Sequence, residues 1–222
     1  MTDSSENLNQ RKARNLVNKA SYIYESNSEK AIKLCAKAIE LDRKNKEAYY
    51  LEGIINDSLF LSHAESLKDF SQVIDIDPND FKGWYSRAKC KKKLRDFEGA
   101  INDYDQALKR VKDVDEALYE GNFSLNIFKN RGEAKQIFKD YQGSIDDYNC
   151  ALDIDKHSDS DLYLNRGNSY KRLEDYQSAI QNYNKAIEID PRSNSLAIKE
   201  RRRCWRLLAH SESELEVLEK EA

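Results

Sequence analysis

The chain has 222 residues and a formal net charge of -3, with 39% hydrophobic and 35% charged residues. Seven glycines and two prolines are few for this length, which argues against β-sandwich and Rossmann-type folds with their many turns. No apolar run approaches the length of a membrane span, and the N-terminus lacks the basic start and apolar stretch of a signal peptide. We therefore expect an almost entirely helical chain with a cytoplasmic location.

The cysteines and histidines are scattered along the chain. The four cysteines form no CxxC pair, and the three histidines are just as widely spaced. This spacing predicts reduced structural thiols and no metal site. The sequence also lacks a glycine-rich phosphate loop, a GxSxG motif and an HExxH motif. We therefore predict no catalytic residue, no metal and no cofactor.

Four segments share one pattern of small, aliphatic, two polar and aromatic residues. They span 65–70, 99–104, 143–148 and 178–183, and each continues to a small or β-branched residue followed by an aliphatic one. A more divergent copy precedes them, with Ala31, Cys35 and Ala38 at the corresponding positions. The recurrence predicts an internal structural repeat.

A second pattern lies upstream of each segment, where a large residue is followed four positions later by a small one. The pairs are Tyr49/Gly53, Trp84/Ala88, Phe128/Gly132 and Tyr163/Gly167. Spacings of three and four place such residues on one face of a first helix, and the small residue lets a second helix approach closely. One helix pair cannot bury this face alone, so neighbouring pairs must stack.

These residues resemble the tetratricopeptide-repeat (TPR) family, whose period is about 34 residues. The resemblance implies an all-α, right-handed superhelical solenoid of helix-turn-helix repeats. We expect a TPR domain over 12–209, between an N-terminal tail at 1–11 and an acidic C-terminal tail at 210–222. Its five copies are expected near 12–45, 46–80, 81–114, 125–158 and 160–193, with a capping helix near 196–208.

Three departures from the family pattern stand out. The first copy has Asn15 and Lys19 where a large and a small residue are expected. The second copy has one extra residue in its turn, around 59–62. About ten extra residues near 115–124 separate the third and fourth copies, and Gly121 followed by Asn122 favours a break there.

Charge alternates between the two helices of the later copies: first helices are basic, and second helices carry acids such as Asp103, Asp146 and Asp147. In TPR proteins the first helices line a concave groove and the second helices face outward. The resemblance therefore implies a positive groove and a negative outer surface. The predicted peptide-binding residues of this groove are Tyr50, Lys82, Tyr85, Lys89, Lys92, Lys93, Lys129, Asn130, Asn165, Asn168, Lys171, Arg172, Lys199 and Arg202.

The resemblance implies a non-catalytic protein-binding scaffold or adaptor whose groove holds an acidic segment. Asparagine can bind the peptide main chain, while lysine and arginine supply charge. The family's two-carboxylate clamp for chaperone tails is incomplete, because Glu133 and Ser195 occupy two of its positions. One alternative is a self-assembling structural subunit, in which the divergent first copy or the tail from Ser211 docks in the groove of a neighbour. The other is an RNA-binding helical repeat, against which the negative net charge argues.

Overall fold

A computed structural model describes residues 7–58, 62–111, 123–156, 158–192 and 194–221, with side chains up to 210. Eleven α-helices and no strand lie within these ranges. The helices are α1 Leu8–Ile23, α2 Ser28–Leu41, α3 Lys46–Ser58, α4 His63–Ile76, α5 Phe81–Lys93, α6 Phe97–Val111, α7 Phe123–Ile137, α8 Tyr141–Asp155, α9 Ser160–Arg172, α10 Tyr176–Ile189 and α11 Ser195–Glu221.

The helices fall into two compact units, Met1–Asp115 with α1–α6 and Glu116–Ala222 with α7–α11. Within each unit every helix packs mainly against the helix before it and the helix after it. The predicted all-α arrangement of five helix pairs followed by a last helix is therefore confirmed.

The turns within the last three helix pairs share one backbone conformation. Arg95, Lys139 and Glu174 each adopt a positive φ, of 66°, 70° and 63°. The aspartate that follows each of them accepts a hydrogen bond from the backbone N–H three residues later, at 2.9–3.0 Å. Such an aspartate satisfies a backbone donor that the new helix leaves unpaired, and so starts the second helix at a defined residue.

The core consists of the residues that the repeat pattern selects. Phe70, Tyr104, Tyr148 and Tyr183, the aromatics of the second helices, are all at most 1% exposed. The alanines that precede and follow these aromatics in α6, α8 and α10 are fully buried where the pattern places them, at Ala100, Ala107, Ala151, Ala179 and Ala186. The helical spacing of the apolar residues therefore identified the packing face correctly.

The first helix begins earlier than the sequence indicated. Residues 8–11 were expected in the N-terminal tail, but α1 starts at Leu8. The Asn7 side chain accepts hydrogen bonds from the N–H groups of Asn9 and Gln10, and the Gln10 side chain accepts one from the Asn7 N–H. This capping box stabilises the helix start, and the apolar pattern does not reveal it.

The last helix is longer than expected, since it runs to Glu221 instead of ending near residue 208. No glycine or proline follows Pro191, so nothing in the sequence stops this helix within the predicted acidic tail. Neither α11 nor any other helix described has the length and apolar character that crossing a membrane requires. The extra turn residues 59–61 and most of the 115–124 insertion lie outside the described residues.

We expect Ala100→Trp and Ala179→Trp to destabilise the chain by roughly 1–3 kcal/mol or more, because each alanine is fully buried where the two helices of a pair meet. Urea unfolding followed by circular dichroism measures the effect. Asn102→Trp, at an exposed position of α6, is the matched control and is expected to be nearly neutral. A neutral result at both alanines would contradict the helix register described above.

Candidate functional site

Two helix pairs contain the same buried ion-pair arrangement. In α5–α6, Arg87 donates two hydrogen bonds to the Asp103 carboxylate, at 2.8 and 2.9 Å, and Lys91 Nζ lies 2.8 Å from the same carboxylate. In α7–α8, Arg131 and Lys135 bind the Asp147 carboxylate in the same way. The arginine lies three residues after the large packing residue, and the aspartate immediately precedes the buried tyrosine.

These contacts correct the predicted charge pattern. Asp103 and Asp147 were expected on a negative outer surface, yet they are only 3% and 2% exposed. Each pairs with two basic residues of the facing first helix and offsets one of their two positive charges, which lowers the positive charge that these helices present. A carboxylate buried this deeply requires such partners, because an unpaired charge in the interior is expensive. Asp146, by contrast, is exposed as expected.

The corresponding positions of two other pairs depart from this arrangement. In α9–α10, Arg166 donates instead to the side-chain oxygens of Asn182 and Asn149, at 2.7 and 2.6 Å. In α3–α4 the arginine is replaced by Glu52, which leaves two carboxyl groups, Glu52 and Asp69, on facing helices.

Both carboxyl groups of the α3–α4 pair have raised pKa values. Burial is the main cause for each, and the charge of Asp69 also raises the pKa of Glu52. The pKa of Glu52 is raised to about 7, and that of Asp69 to about 6 even though Asn56 donates a hydrogen bond to it. The same two repeat positions thus hold a buried ion pair in α5–α6 and two carboxyl groups with raised pKa values in α3–α4.

The predicted groove residues of the first unit are largely engaged within the chain. The Tyr50 ring packs edge-on against Phe70, with 5.7 Å between ring centroids, and Tyr85 lies 6.0 Å from Tyr104. Lys89 Nζ sits 5.6 Å from the centre of the Tyr85 ring. Lys93 pairs with Asp57 at 2.6 Å. The two remaining residues of the set, Lys82 and Lys92, are half-buried on α5.

The predicted residues of the second unit are divided between internal contacts and solvent. Lys129 pairs with Asp159 at 2.7 Å, and the Asn130 side chain donates to the Asn126 carbonyl at 2.8 Å. Asn168 accepts a hydrogen bond from the Tyr183 hydroxyl at 2.9 Å, and Lys171 pairs with Glu200 at 2.6 Å. The other members of the set, half-buried Asn165 and exposed Arg172, Lys199 and Arg202, lie on α9 and α11.

A cleft in the second unit brings three of the predicted residues together. It has a volume of about 460 Å³ and contains Asn168, Lys171 and Arg172 of α9. The other lining residues come from α7, the turn after it, α8 and α11, and they are Gln136, Ile137, Lys139, Tyr141, Leu196 and Glu200. The predicted residues Lys129, Asn130, Asn165, Lys199 and Arg202 do not line it.

The walls of this cleft combine apolar surface with basic charge. Ile137 and Leu196 are 51% and 48% exposed, which is high for large aliphatic side chains. Lys139 and Arg172 are also exposed, and neither forms an ion pair with any residue that the structure describes. Concave surfaces with a few polar groups among apolar ones are typical of ligand sites. Sequence analysis missed Lys139, Ile137 and Leu196, because only the fold brings the turn after α7 close to α11.

A cluster of potentially reactive residues lies between α3, α4 and α5. His63 Nδ1 and Cys90 Sγ lie 3.2 and 3.8 Å from Asp57 Oδ1, which also binds Lys93. Cys90 is fully buried, and burial raises the pKa of its thiol to about 12, so a nucleophilic thiolate is disfavoured. No group of three or more potential metal ligands occurs among the described residues.

Two segments of the chain match the tetratricopeptide-repeat family. They are residues 160–193 and 81–110, which coincide with the α9–α10 and α5–α6 pairs. A search of curated protein sequences finds no match. The family matches therefore cover two of the five helix pairs.

Several solved structures have a similar fold. YrrB, described as a TPR protein with an unusual peptide-binding site, has a TM-score of 0.73 at 20% identity, covering 86% of this chain and 92% of YrrB. MamA has a TM-score of 0.71 at 14% identity, covering 82% and 93%. A MamA from Desulfovibrio magneticus RS-1 has a TM-score of 0.71 at 17% identity, covering 83% and 98%. At these identities the likeness extends to the fold alone.

We expect stability to depend on pH through Glu52. Its raised pKa means that the folded chain holds this proton more tightly than the unfolded chain. The resulting stabilisation is present below the ordinary carboxyl pKa of 4.5 and is lost as the pH rises through about 7. Glu52→Gln, which stays neutral, should therefore match the wild type near pH 4 and exceed its stability by about 1 kcal/mol near pH 8, after allowance for solvent screening. Thermal unfolding across this range measures the difference.

Glu52→Arg extends the same experiment. An arginine here can bind Asp69 as Arg87 binds Asp103, so the melting temperature near pH 8 should rise above that of Glu52→Gln. If the difference in stability between the wild type and Glu52→Gln were the same at both pH values, the raised pKa of Glu52 would be contradicted.

We expect Asp147→Ala to cost about 3–5 kcal/mol, because it leaves Arg131 and Lys135 partly buried without their counter-charge. The neighbouring variant Asp146→Ala removes an exposed carboxylate from the same helix and should change stability by about 0.5 kcal/mol or less. Urea unfolding of the two variants measures the contrast. Equal effects would show that the buried ion pair has no special structural role.

Proposed function

We propose that this chain, a tetratricopeptide-repeat protein, is a non-catalytic scaffold or adaptor that binds an acidic peptide segment of another protein. The supporting observation is the cleft of the second unit, where exposed Ile137 and Leu196 lie beside exposed Lys139 and Arg172. The fold itself belongs to a class whose members include a peptide-binding protein, YrrB. Apolar side chains of a peptide would contact the aliphatic residues, and its carboxylates would contact the two basic ones.

The charges of the residues that line the cleft favour an acidic ligand. Lys171 and Glu200 neutralise each other at 2.6 Å, which leaves the charges of Lys139 and Arg172 to the ligand. Asn168, Gln136 and Tyr141 also line the cleft, and such side chains can hydrogen-bond a peptide main chain. Single exposed ion pairs contribute only ~0–1 kcal/mol, so the apolar contacts must supply much of the affinity.

The remaining predicted groove residues take a secondary part in this proposal. Those of the first unit, from Tyr50 to Lys93, are candidates for a separate contact surface on that unit. Most of them already contact aromatic or acidic residues of the chain, so a ligand must compete with these contacts. The same pairing argues against RNA binding, because two buried aspartates offset half of the positive charge of Arg87, Lys91, Arg131 and Lys135.

A cytoplasmic location without a cofactor completes the proposal. All four cysteines are free thiols, and Cys35, Cys90 and Cys204 are buried. Proteins of reducing compartments commonly keep their cysteines in this state.

The test is a phage-display selection of random peptides on the full chain, followed by fluorescence polarisation with the selected peptides. We expect sequences that combine Asp or Glu with Leu, Ile or Phe. Lys139→Glu with Arg172→Glu should weaken binding by about tenfold or more and reduce its salt dependence, since two attractive charges become repulsive.

Lys185→Glu is the matched control, because Lys185 is an exposed lysine of the same unit outside the cleft. It should leave the affinity unchanged. Selection of basic or purely polar peptides would contradict the proposal, as would full affinity in the double variant while circular dichroism shows it folded.

A further inference from the structure

The last helix has one packed side and one exposed side. Ala197 and Cys204 are fully buried and Leu208 is partly buried, since this side of α11 packs against α10. On the other side Arg202 and Arg206 are exposed, and Trp205 is 55% exposed. Tryptophan and arginine are enriched at the centres of protein interfaces. This combination indicates a contact surface separate from the peptide-binding cleft.

The charges of α11 are divided between its two halves. Five basic residues, Lys199, Arg201, Arg202, Arg203 and Arg206, precede Ala209 together with one acid, Glu200, and five acidic residues, Glu212, Glu214, Glu216, Glu219 and Glu221, follow it together with one base, Lys220. A helix dipole favours acidic residues at the N-terminal end and basic ones at the C-terminal end. The stability of the isolated helix therefore does not explain this order.

Seven residues of α11 follow alternating spacings of four and three, and so occupy one side of the helix. They are Ile198, Arg202, Trp205, Ala209, Glu212, Glu216 and Glu219. Such a row forms a seam along which a second helix can pack. Its first part is basic and aromatic, its centre is a small alanine, and its last part is acidic.

We propose that this seam binds the α11 helix of a second copy of the chain in antiparallel orientation, with Ala209 at the centre. Glu216 follows Ala209 by as many residues as Arg202 precedes it, and the same holds for Glu212 with Arg206 and for Glu219 with Lys199. An antiparallel two-fold pair therefore sets a basic residue opposite an acidic one at these three positions, and each contact occurs twice. A parallel pair would set like charges opposite each other.

The small side chain of Ala209 suits the centre of this pair, where the two helices come closest. The exposed surface of Trp205 is buried by the partner helix, which supplies an apolar contribution beside the charge pairs. This inference is independent of the peptide-binding proposal, because Lys139 and Arg172 do not belong to the seam.

Sedimentation analysis of the full chain at low salt tests the proposal. We expect a dimer of twice the 25.9 kDa chain mass, which dissociates at high salt. Arg202→Glu and Glu216→Arg should each weaken dimerisation by about tenfold or more, because each creates two like-charge contacts. The combined variant, Arg202→Glu with Glu216→Arg, should restore the dimer.

Restoration by the combined variant is specific to an antiparallel pair. The two positions are 14 residues apart (216 − 202) in one helix, or roughly 21 Å at 1.5 Å per residue, so they cannot compensate each other within a chain. In a parallel pair the combined variant would retain the repulsions of the wild type. Arg192→Glu, an exposed change just before α11, is the matched control and should leave the dimer intact.

Disulfide trapping gives a second readout in a Cys150→Ser background, which removes the exposed native thiol. Ala209→Cys should form a disulfide-linked dimer, whereas Ser195→Cys, which lies at opposite ends of the two helices, should not. A wild type that stays monomeric at high concentration and low salt would overturn the proposal. So would a combined variant as weak as the single ones, or equal cross-linking at both cysteine positions.

Discussion

The burial of one aromatic ring against a small residue of the preceding helix is the contact on which the four helix pairs from α3–α4 to α9–α10 depend. A Cβ atom added at Gly167 would lie 2.9 Å from the Tyr183 ring, and one at Gly132 would lie equally close to the Tyr148 ring. The two helices can therefore approach closely only where the facing residue is small. In α5–α6 the same place is occupied by Ala88, which is fully buried beside the same kind of ring.

This close approach also determines the electrostatics of the pairs. The aspartates next to Tyr104 and Tyr148 are carried into the interface with these rings, where they are no longer solvated. Arg87 and Arg131 meet these aspartates from the facing helix with paired hydrogen bonds. Replacing such a pair by apolar residues can be neutral, whereas removing one partner is costly, so the pair fixes how the helices face each other more than it adds stability.

The basic residues of the cleft that are left for a partner are those that pair with no carboxylate within the described part of the chain. Lys139 lies in a turn and Arg172 at the last residue of a helix, and both are exposed in the cleft of the second unit. In the α3–α4 pair of the first unit, Glu52 stands at the repeat position of Arg87 and Arg131; it faces Asp69, and burial raises the pKa of both groups. One fold thus presents different chemistry in its two units through substitutions at a few repeat positions.

The sequence by itself determined the helix pairs, their order and their packing residues. These features follow from spacings of three and four along one helix, which are short-range and recur in each copy, so Tyr104, Tyr148 and Tyr183 could be identified as buried without any structure. The sequence also showed which residues are charged. It did not show which of them are neutralised.

Only the tertiary structure decided the charge balance and the location of the cleft. Arg87 reaches an aspartate 16 residues away, and Lys129 reaches one 30 residues away. The cleft joins residues from α7, α8, α9 and α11, which no local pattern relates to one another. Pairing and exposure depend on side chains of different helices meeting in space, and the helical repeat that predicts each helix contains no information about those distances.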